Sequence, residues 1–217
     1  MKYLRKFATE AEYTAFLNGD YVTPNVSLVG GSVEYTKIIG VFIQHINGKL
    51  FTSEEWDANG YSADDANGVA VCNPSMQFVV AKDYFTAAWS SNTSELVEGI
   101  YTTDSAINAL TDAKGKENTM LMLATDTSGA AYLCNAYIFP NGKKGYLPSA
   151  AEWALVKANA TEVNSLVRKI GGTYITESKW TSTQYDAGKA WGFDWYSGKA
   201  SMSTKTTKLR VRPFTTL

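Results

Sequence analysis

Two spacings of apolar residues divide this chain. Steps of three and four mark helices, and steps of two mark strands. After Ser149, the positions Trp153, Val156, Ala160, Val163, Leu166, Val167 and Ile170 fall on one face of a single predicted helix. Ser149-Ala-Ala-Glu152 forms a capping box at its start, Lys169 suits its C-terminal dipole, and Gly171-Gly172 stops it. Shorter helices are predicted over residues 105–114, capped by Thr103-Asp104 with Ile107 and Leu110 facing inward, and over 118–122 and 130–136. Strands are predicted over 38–43, over 49–52 after the Asn47-Gly48 turn, and over 68–71 and 77–81. Past Gly172 only strands and turns remain. Residues 189–197 alternate, with Trp191, Phe193 and Trp195 on one side and Gly192, Asp194 and Tyr196 on the other. Two more strands follow at 200–204 and 208–212, the last with Leu209 and Val211 inward and Arg210 and Arg212 outward.

The N-terminal stretch reads differently. Thr9-Glu-Ala-Glu12 is a capping box, Tyr13, Phe16 and Leu17 share a helical face, and Asn18-Gly19 ends it. Residues 24–29 read as a short strand before the Gly30-Gly31 turn. Residues 1–37 are therefore expected as a small helix-strand appendage. It is too short for its own core, so it packs on the body at 38–217 or docks to a partner or second copy. No apolar stretch follows the basic N-terminus, so no signal peptide is read here.

Composition narrows the function classes. Of 217 residues, 45% are hydrophobic and 19% charged, which supports one real core. A net charge of -1 leaves no basic excess to neutralise phosphates, so nucleic acid is not an expected partner. No apolar run is long enough to insert in a membrane. Aromatics reach 13%, with 13 Tyr, a richness that suits contact surfaces as well as β-rich cores. Cys72 and Cys134 match no metal or redox spacing and sit among apolar residues; they read as buried free thiols, with a disulfide as the alternative.

An ordered set of motifs carries a resemblance. Asp112-Ala-Lys-Gly-Lys-Glu-Asn-Thr119 comes first. The stretch 134–153 follows, ending in Gly-Tyr-Leu-Pro-Ser-Ala-Ala-Glu-Trp. Then come Ile170-Gly-Gly-Thr173, Trp180-Thr-Ser-Thr-Gln184, Ala190-Trp191 and Arg210-Val-Arg-Pro-Phe214. Over residues 38–217 the chain resembles the C-type-lectin-fold variable proteins of diversity-generating retroelements, found in gut anaerobes and their phages. That fold is shared with phage major tropism determinants and formylglycine-generating enzymes. The resemblance implies an α+β, C-type-lectin-like domain that binds a macromolecular surface target, protein or glycan, without catalysis. It also implies a virion or cell-surface location. In such proteins a reverse-transcribed template rewrites a C-terminal segment while the frame stays fixed. Carried over, the frame is Trp180, Ser182, Thr183, Trp191, Trp195, Val211, Arg212 and Pro213. The writable, ligand-binding positions are Lys179, Tyr185, Asp186, Lys189, Gly192, Asp194, Tyr196, Ser197, Lys199, Ser201, Ser203 and Lys208. Thr181 departs from the Ser usual after the Trp of this motif. The alternatives are an undiversified structural module of a phage particle and an enzyme of the formylglycine-generating type.

The residues themselves favour a binder. Trp191, Phe193 and Trp195 could form a sugar-stacking platform, but burying three such side chains is worth too much to forgo. They are expected in the core, which leaves the polar side of the strand for contact, or as an ordinary solvated face. No catalytic residue is assigned: His45, the one histidine, ends an apolar strand and reads as structural, and both cysteines lie far upstream of the C-terminal segment. Neither a metal nor a cofactor is expected, since the acidic loop 57–65 lacks the spacing of a calcium loop. Glu54-Glu55 and Asp64-Asp65 read as solvated loop charges.

Overall fold

The structure, a computed structural model, describes residues 38–217 and, before them, only the backbone of two short strands, β1 (Thr23–Asn25) and β2 (Glu34–Thr36). These pair antiparallel, Pro24 opposite Tyr35. The expected helix after Thr9 and most of the expected 24–29 strand lie outside the described residues.

The body is a mixed α+β fold of two five-stranded sheets. The first contains β3 (Gly40–His45), β4 (Leu50–Phe51), β5 (Ala66–Cys72), β6 (Gln77–Val80) and β12 (Phe214–Thr215), in the order β12-β6-β5-β3-β4 and antiparallel throughout. The second contains β7 (Phe85–Ala87), β8 (Lys179–Gln184), β9 (Lys189–Asp194), β10 (Lys199–Thr204) and β11 (Leu209–Val211), in the order β10-β9-β8-β11-β7. Only the β8–β11 pair is parallel. Six helices accompany the sheets among the described residues: α1 (Ser53–Ala58), α2 (Ala106–Ala109), α3 (Gly115–Leu123), α4 (Ala130–Ala136), α5 (Ala150–Ala158) and α6 (Ala160–Lys169).

Several expectations change. The helix predicted from Ser149 is two helices, α5 and α6, broken at Asn159, whose backbone leaves the helical region (φ -111°, ψ 22°). Asn159 bonds its own chain instead, Nδ2 donating to Leu155 O at 2.9 Å. The apolar stripe survives the break, and Trp153, Val156, Val163, Leu166, Val167 and Ile170 all enter one core cluster with Phe78, Phe193, Trp195 and Phe214. The helix predicted over 105–114 shrinks to α2, capped by Ser105, and Ile107 is 78% exposed rather than inward. The helix predicted at Asn118 starts three residues earlier, at Gly115. Helix α1 was missed: Glu55 is no loose loop charge but closes a capping box with Thr52. Asp65 likewise accepts from Ser62 N at 2.7 Å and caps a single 3-10 turn. Arg212 points inward, not outward: its Nη1 donates to Ala81 O (2.8 Å) and Lys82 O (2.7 Å), and its Nη2 to Thr173 O (2.7 Å).

The motifs meet around two buried carboxylates. Glu152 Oε2 accepts from Ser149 N at 2.7 Å, and Oε1 accepts from the Tyr146 hydroxyl at 2.7 Å. Asp112 Oδ2 accepts from Asn118 Nδ2 (2.9 Å) and Thr183 Oγ1 (2.7 Å), and its carbonyl accepts from Ala151 N (3.1 Å). Thr183 Oγ1 in turn accepts from Ala150 N at 3.2 Å. Segments 112–119, 146–153 and 180–184 are thereby tied at one point. A Cβ on Gly115 would stand 2.1 Å from Glu152 Oε2, so only glycine lets α3 begin against this carboxylate.

Two buried charges make stability depend on pH with opposite signs. Burial is the main influence on Glu152 and raises it from 4.5 to about 7, against the pull of its hydrogen bonds. Its contribution is therefore fully present below about 4.5 and lost as pH rises through about 7. Desolvation lowers Lys179 from 10.5 to about 7, so its contribution is present above about 10.5 and lost as pH falls through about 7. Both losses are complete near neutrality. Glu152→Gln should raise stability relative to the parent as pH climbs from 5 toward 7. Lys179→Met should do so as pH falls from 10 toward 7. Urea midpoints of parent and variants across pH check both slopes; parallel curves would mean that neither group titrates in these windows.

Candidate binding face

Strand β8 is the fixed centre of the second sheet, with every residue from Lys179 to Gln184 buried. Its side chains are used up by structure. Gln184 Oε1 accepts from Val97 N (3.0 Å) and Lys205 Nζ (3.1 Å), while its Nε2 donates to Thr102 Oγ1 (3.0 Å). This staples the 95–102 loop to the sheet. Thr181 Oγ1 donates to Trp191 O at 2.6 Å, so the departure from Ser at this position costs no bond. Three indoles around β8 are also paired: Trp89 Nε1 reaches Thr181 O (2.7 Å), Trp180 Nε1 reaches Ala87 O (3.0 Å) and Trp191 Nε1 reaches Thr103 O (2.9 Å). All eight frame positions implied by the resemblance are buried, as is the Trp191, Phe193 and Trp195 set.

The twelve ligand-binding candidates do not form one surface. Lys179 is on the wrong face: buried, it donates to the carbonyls of Thr176 and Glu177 and lies 4.6 Å from the Trp195 ring. Gly192 is buried too. A Cβ there would meet Lys179 O at 3.1 Å and Leu209 Cδ1 at 3.3 Å, because Leu209 roofs this side of β9. Alternation correctly split β9 into two faces, but it could not show that a second apolar layer covers the polar one.

Tyr185, Asp186 and Lys189 gather at the β8–β9 turn. Tyr185 packs edge-on against Trp191 at 5.1 Å, and Asp186 Oδ1 accepts from Gly188 N (2.8 Å) and Lys189 N (2.7 Å). Asp194, Tyr196, Ser197 and Lys199 gather at the β9–β10 turn, roughly 17 Å away at the ~3.3 Å rise of each strand residue. There Asp194 accepts from Ser197 Oγ (2.7 Å) and Tyr196 N (3.0 Å). The Ser197 bond leads in holding the Asp194 carboxyl below its ordinary value. Both acids are turn-formers.

What remains open is the outer part of the hairpin. Tyr196 is 78% exposed, Lys199 and Lys208 are exposed, and Ser201 and Ser203 are half-buried on edge strand β10, opposite Gly192 and Ala190. None of their side chains makes a hydrogen bond to the described residues, and Lys189 makes only a ring contact with Tyr185. Two residues were missed. Met202, opposite Trp191, is 48% exposed at the sheet edge. Lys205, although between exposed neighbours, is buried over the Trp89 ring at 4.8 Å and belongs to the frame. No periodicity marks either one.

Other chemistry-bearing groups are tied down. Both cysteines are free and buried in separate clusters; burial pushes Cys72 up to about 12 and Cys134 well above its ordinary value. His45 packs against Tyr61 at 4.6 Å, and its Nδ1 accepts from Asn47 N at 3.0 Å. Among the described residues, no three His, Cys, Asp or Glu side chains converge on a metal-sized site, and no helix is long and apolar enough to cross a membrane.

No family model matches the sequence, and no curated protein matches it. Among solved structures the fold is similar to a fimbrial protein from Bacteroides ovatus ATCC 8483, with a TM-score of 0.62 and 14% identity over 83% of this chain. The chain spans about half the length of that protein, covering 49% of it.

The split between turn-formers and free side chains has a measurable consequence. Asp186→Ala should cost about 1 kcal/mol, the net worth of the bonds removed, and Asp194→Ala should lower the urea midpoint in the same direction. Tyr185→Ala should cost about 1–3 kcal/mol through lost packing, while Ser201→Ala and Ser203→Ala stay within about 0.5 kcal/mol. Equilibrium urea unfolding decides; losses of equal size at the serines would put them in the frame.

Proposed function

We propose that this chain is a non-enzymatic binding protein of C-type-lectin-like fold. It presents the outer part of the β9–β10 hairpin, with Lys208 beside it, to a macromolecular surface target. The observation that carries this reading is a contrast within one short segment. The side chains of β8 are consumed by structural bonds, whereas Tyr196, Lys199, Ser201, Ser203 and Lys208 make none to the described residues. A frame that does not use these side chains lets them change freely, which suits a surface rewritten for new targets. Tyr with Ser and Lys is also an adaptable contact set. Of the wider candidate set, Lys179 and Gly192 drop out, and Tyr185, Asp186 and Asp194 act by shaping the turns. The likeness to a fimbrial protein supports a place on a cell or particle surface.

Randomising codons 196, 199, 201, 203 and 208 together should leave most variants folded, as read by protease resistance on a display platform. Randomising 181–184 should leave almost none. Selection of the first library on immobilised proteins or glycans should return binders. Diversification has its own readout: a near-copy of the 179–208 coding segment, differing mainly at adenines and lying beside a reverse transcriptase. Failure of the first library to fold would overturn the display reading. Absence of the near-copy would leave a binding surface of fixed sequence.

A further inference from the structure

A cavity of about 180 Å³ lies where the 173–177 loop meets β8 and β11. Tyr84, Tyr174, Lys179, Arg210 and Arg212 contribute to its wall. Three of these five carry a positive charge, in a chain whose net charge is -1. Arg210 is answered by Glu177, Nη2 donating to Oε1 at 3.0 Å, with a second bond from Nε to Oε2, and its guanidinium stacks 3.9 Å over Tyr84. Arg212 is not answered in this way. Its three bonds go to the neutral carbonyls of Ala81, Lys82 and Thr173. A guanidinium has five N–H donors, so two are left over: one on Nη2, and the one on Nε. Buried Nε has no acceptor among the described residues. An unpaired donor on a buried cation is costly, and native structures rarely leave one without a reason.

We propose that this cavity binds a single carboxylate, carried by a small ligand such as a sugar acid or an acidic amino acid. Planar, forked donors match the two coplanar oxygens of a carboxylate. The local charge fits one such group. Around Lys179 stand Arg212 beside the cavity, Glu177 in the preceding loop, Lys157 on α5 and Asp194 at the end of β9. With Arg210 and, beside Arg212, Asp83 included, four cations face three carboxylates, an excess of one positive charge. Burial, then the Arg212 charge, depresses Lys179, and burial depresses Arg212 to about 10; a bound anion would oppose both shifts. The volume lies below the ~300–1,000 Å³ of drug-sized pockets, which limits the occupant to about one ring or one side chain. This site is distinct from the hairpin surface and does not depend on it.

The test follows the Arg212 Nε–H resonance of the ¹⁵N-labelled full chain during titration with galacturonate, with the α-amide of N-acetylglutamate, and with galactose and sulfate as controls. A saturable shift with galacturonate alone identifies a sugar acid. A shift with the glutamate amide alone identifies an acidic residue, and equal shifts mean that the carboxylate itself is read. Galactose should do nothing. Arg210→Gln should weaken binding about fivefold, and Glu177→Gln should tighten it about twofold, the range of a partly exposed charge contact. Neither substitution removes an Arg212 bond, so folding is preserved. Ser201→Arg with Ser203→Arg should leave the titration unchanged, which separates this site from the hairpin reading. Silence with both carboxylates, an equal response to sulfate, or affinities unmoved by either charge variant would overturn the proposal.

Discussion

A carboxylate taken out of water needs its oxygens answered, and around Glu152 that need decides where distant segments go. The Ser149 amide and hydroxyl and the Tyr146 phenol converge on it, and Gly115 leaves it room. Asp112, close by, applies the same demand to Asn118, Thr183 and the start of α5. Apolar packing alone would hold these parts together with some freedom to slide. Directional bonds to buried carboxyl oxygens remove that freedom, since any shift would leave donors and acceptors unpaired in a low-dielectric interior. Strand β8 is fixed in this way, and the hairpin beyond it inherits a rigid base.

Local patterns were legible in the sequence where one neighbour decides the outcome. The Ser149–Glu152 capping box, the α4 helix, the first-sheet strands β3 to β6 and the inward set Trp191, Phe193 and Trp195 depend on spacing alone, whereas β12 gave no such signal. Other features depend on partners far along the chain. Arg212 reads as outward by alternation with Val211, yet carbonyls some 130 residues earlier draw it in. Gly192 reads as open until Leu209 is laid across it. Asn159 sits inside a helical stripe, and only its own side-chain bond to Leu155 reveals the break. Of the candidate site, the segment was legible but the role of each residue was not. Asp186 and Asp194 have the chemistry of ligand contacts and the spacing of turn-formers, and the turns use them.

The second sheet therefore joins two kinds of residue at close range. Gln184 and Lys205 are polar and buried, with donors and acceptors matched to the surrounding loops. Ser201 and Lys199, a strand away, owe the fold nothing but their backbones. Changes at side chains without shared partners add independently, whereas changes within a bonded network do not. The border between the two regimes follows hydrogen bonding more closely than exposure, since Asp194 is partly exposed and still structural.

Strand β12, directly after β11, also ties the two sheets to one continuous stretch of chain. It pairs with β6 at the edge of the first sheet, and Phe214 stacks on Phe78 at 4.8 Å. Just before it, Arg212 joins the 81–82 and 173 carbonyls. The second sheet needs β11, at residues 209–211, and the first needs residue 215, so both take a strand from one short stretch whose partners lie far back along the chain. A reading-frame error or stop within the preceding hairpin therefore removes more than the hairpin: it takes away an edge of the first sheet and the Phe214–Phe78 stack with it.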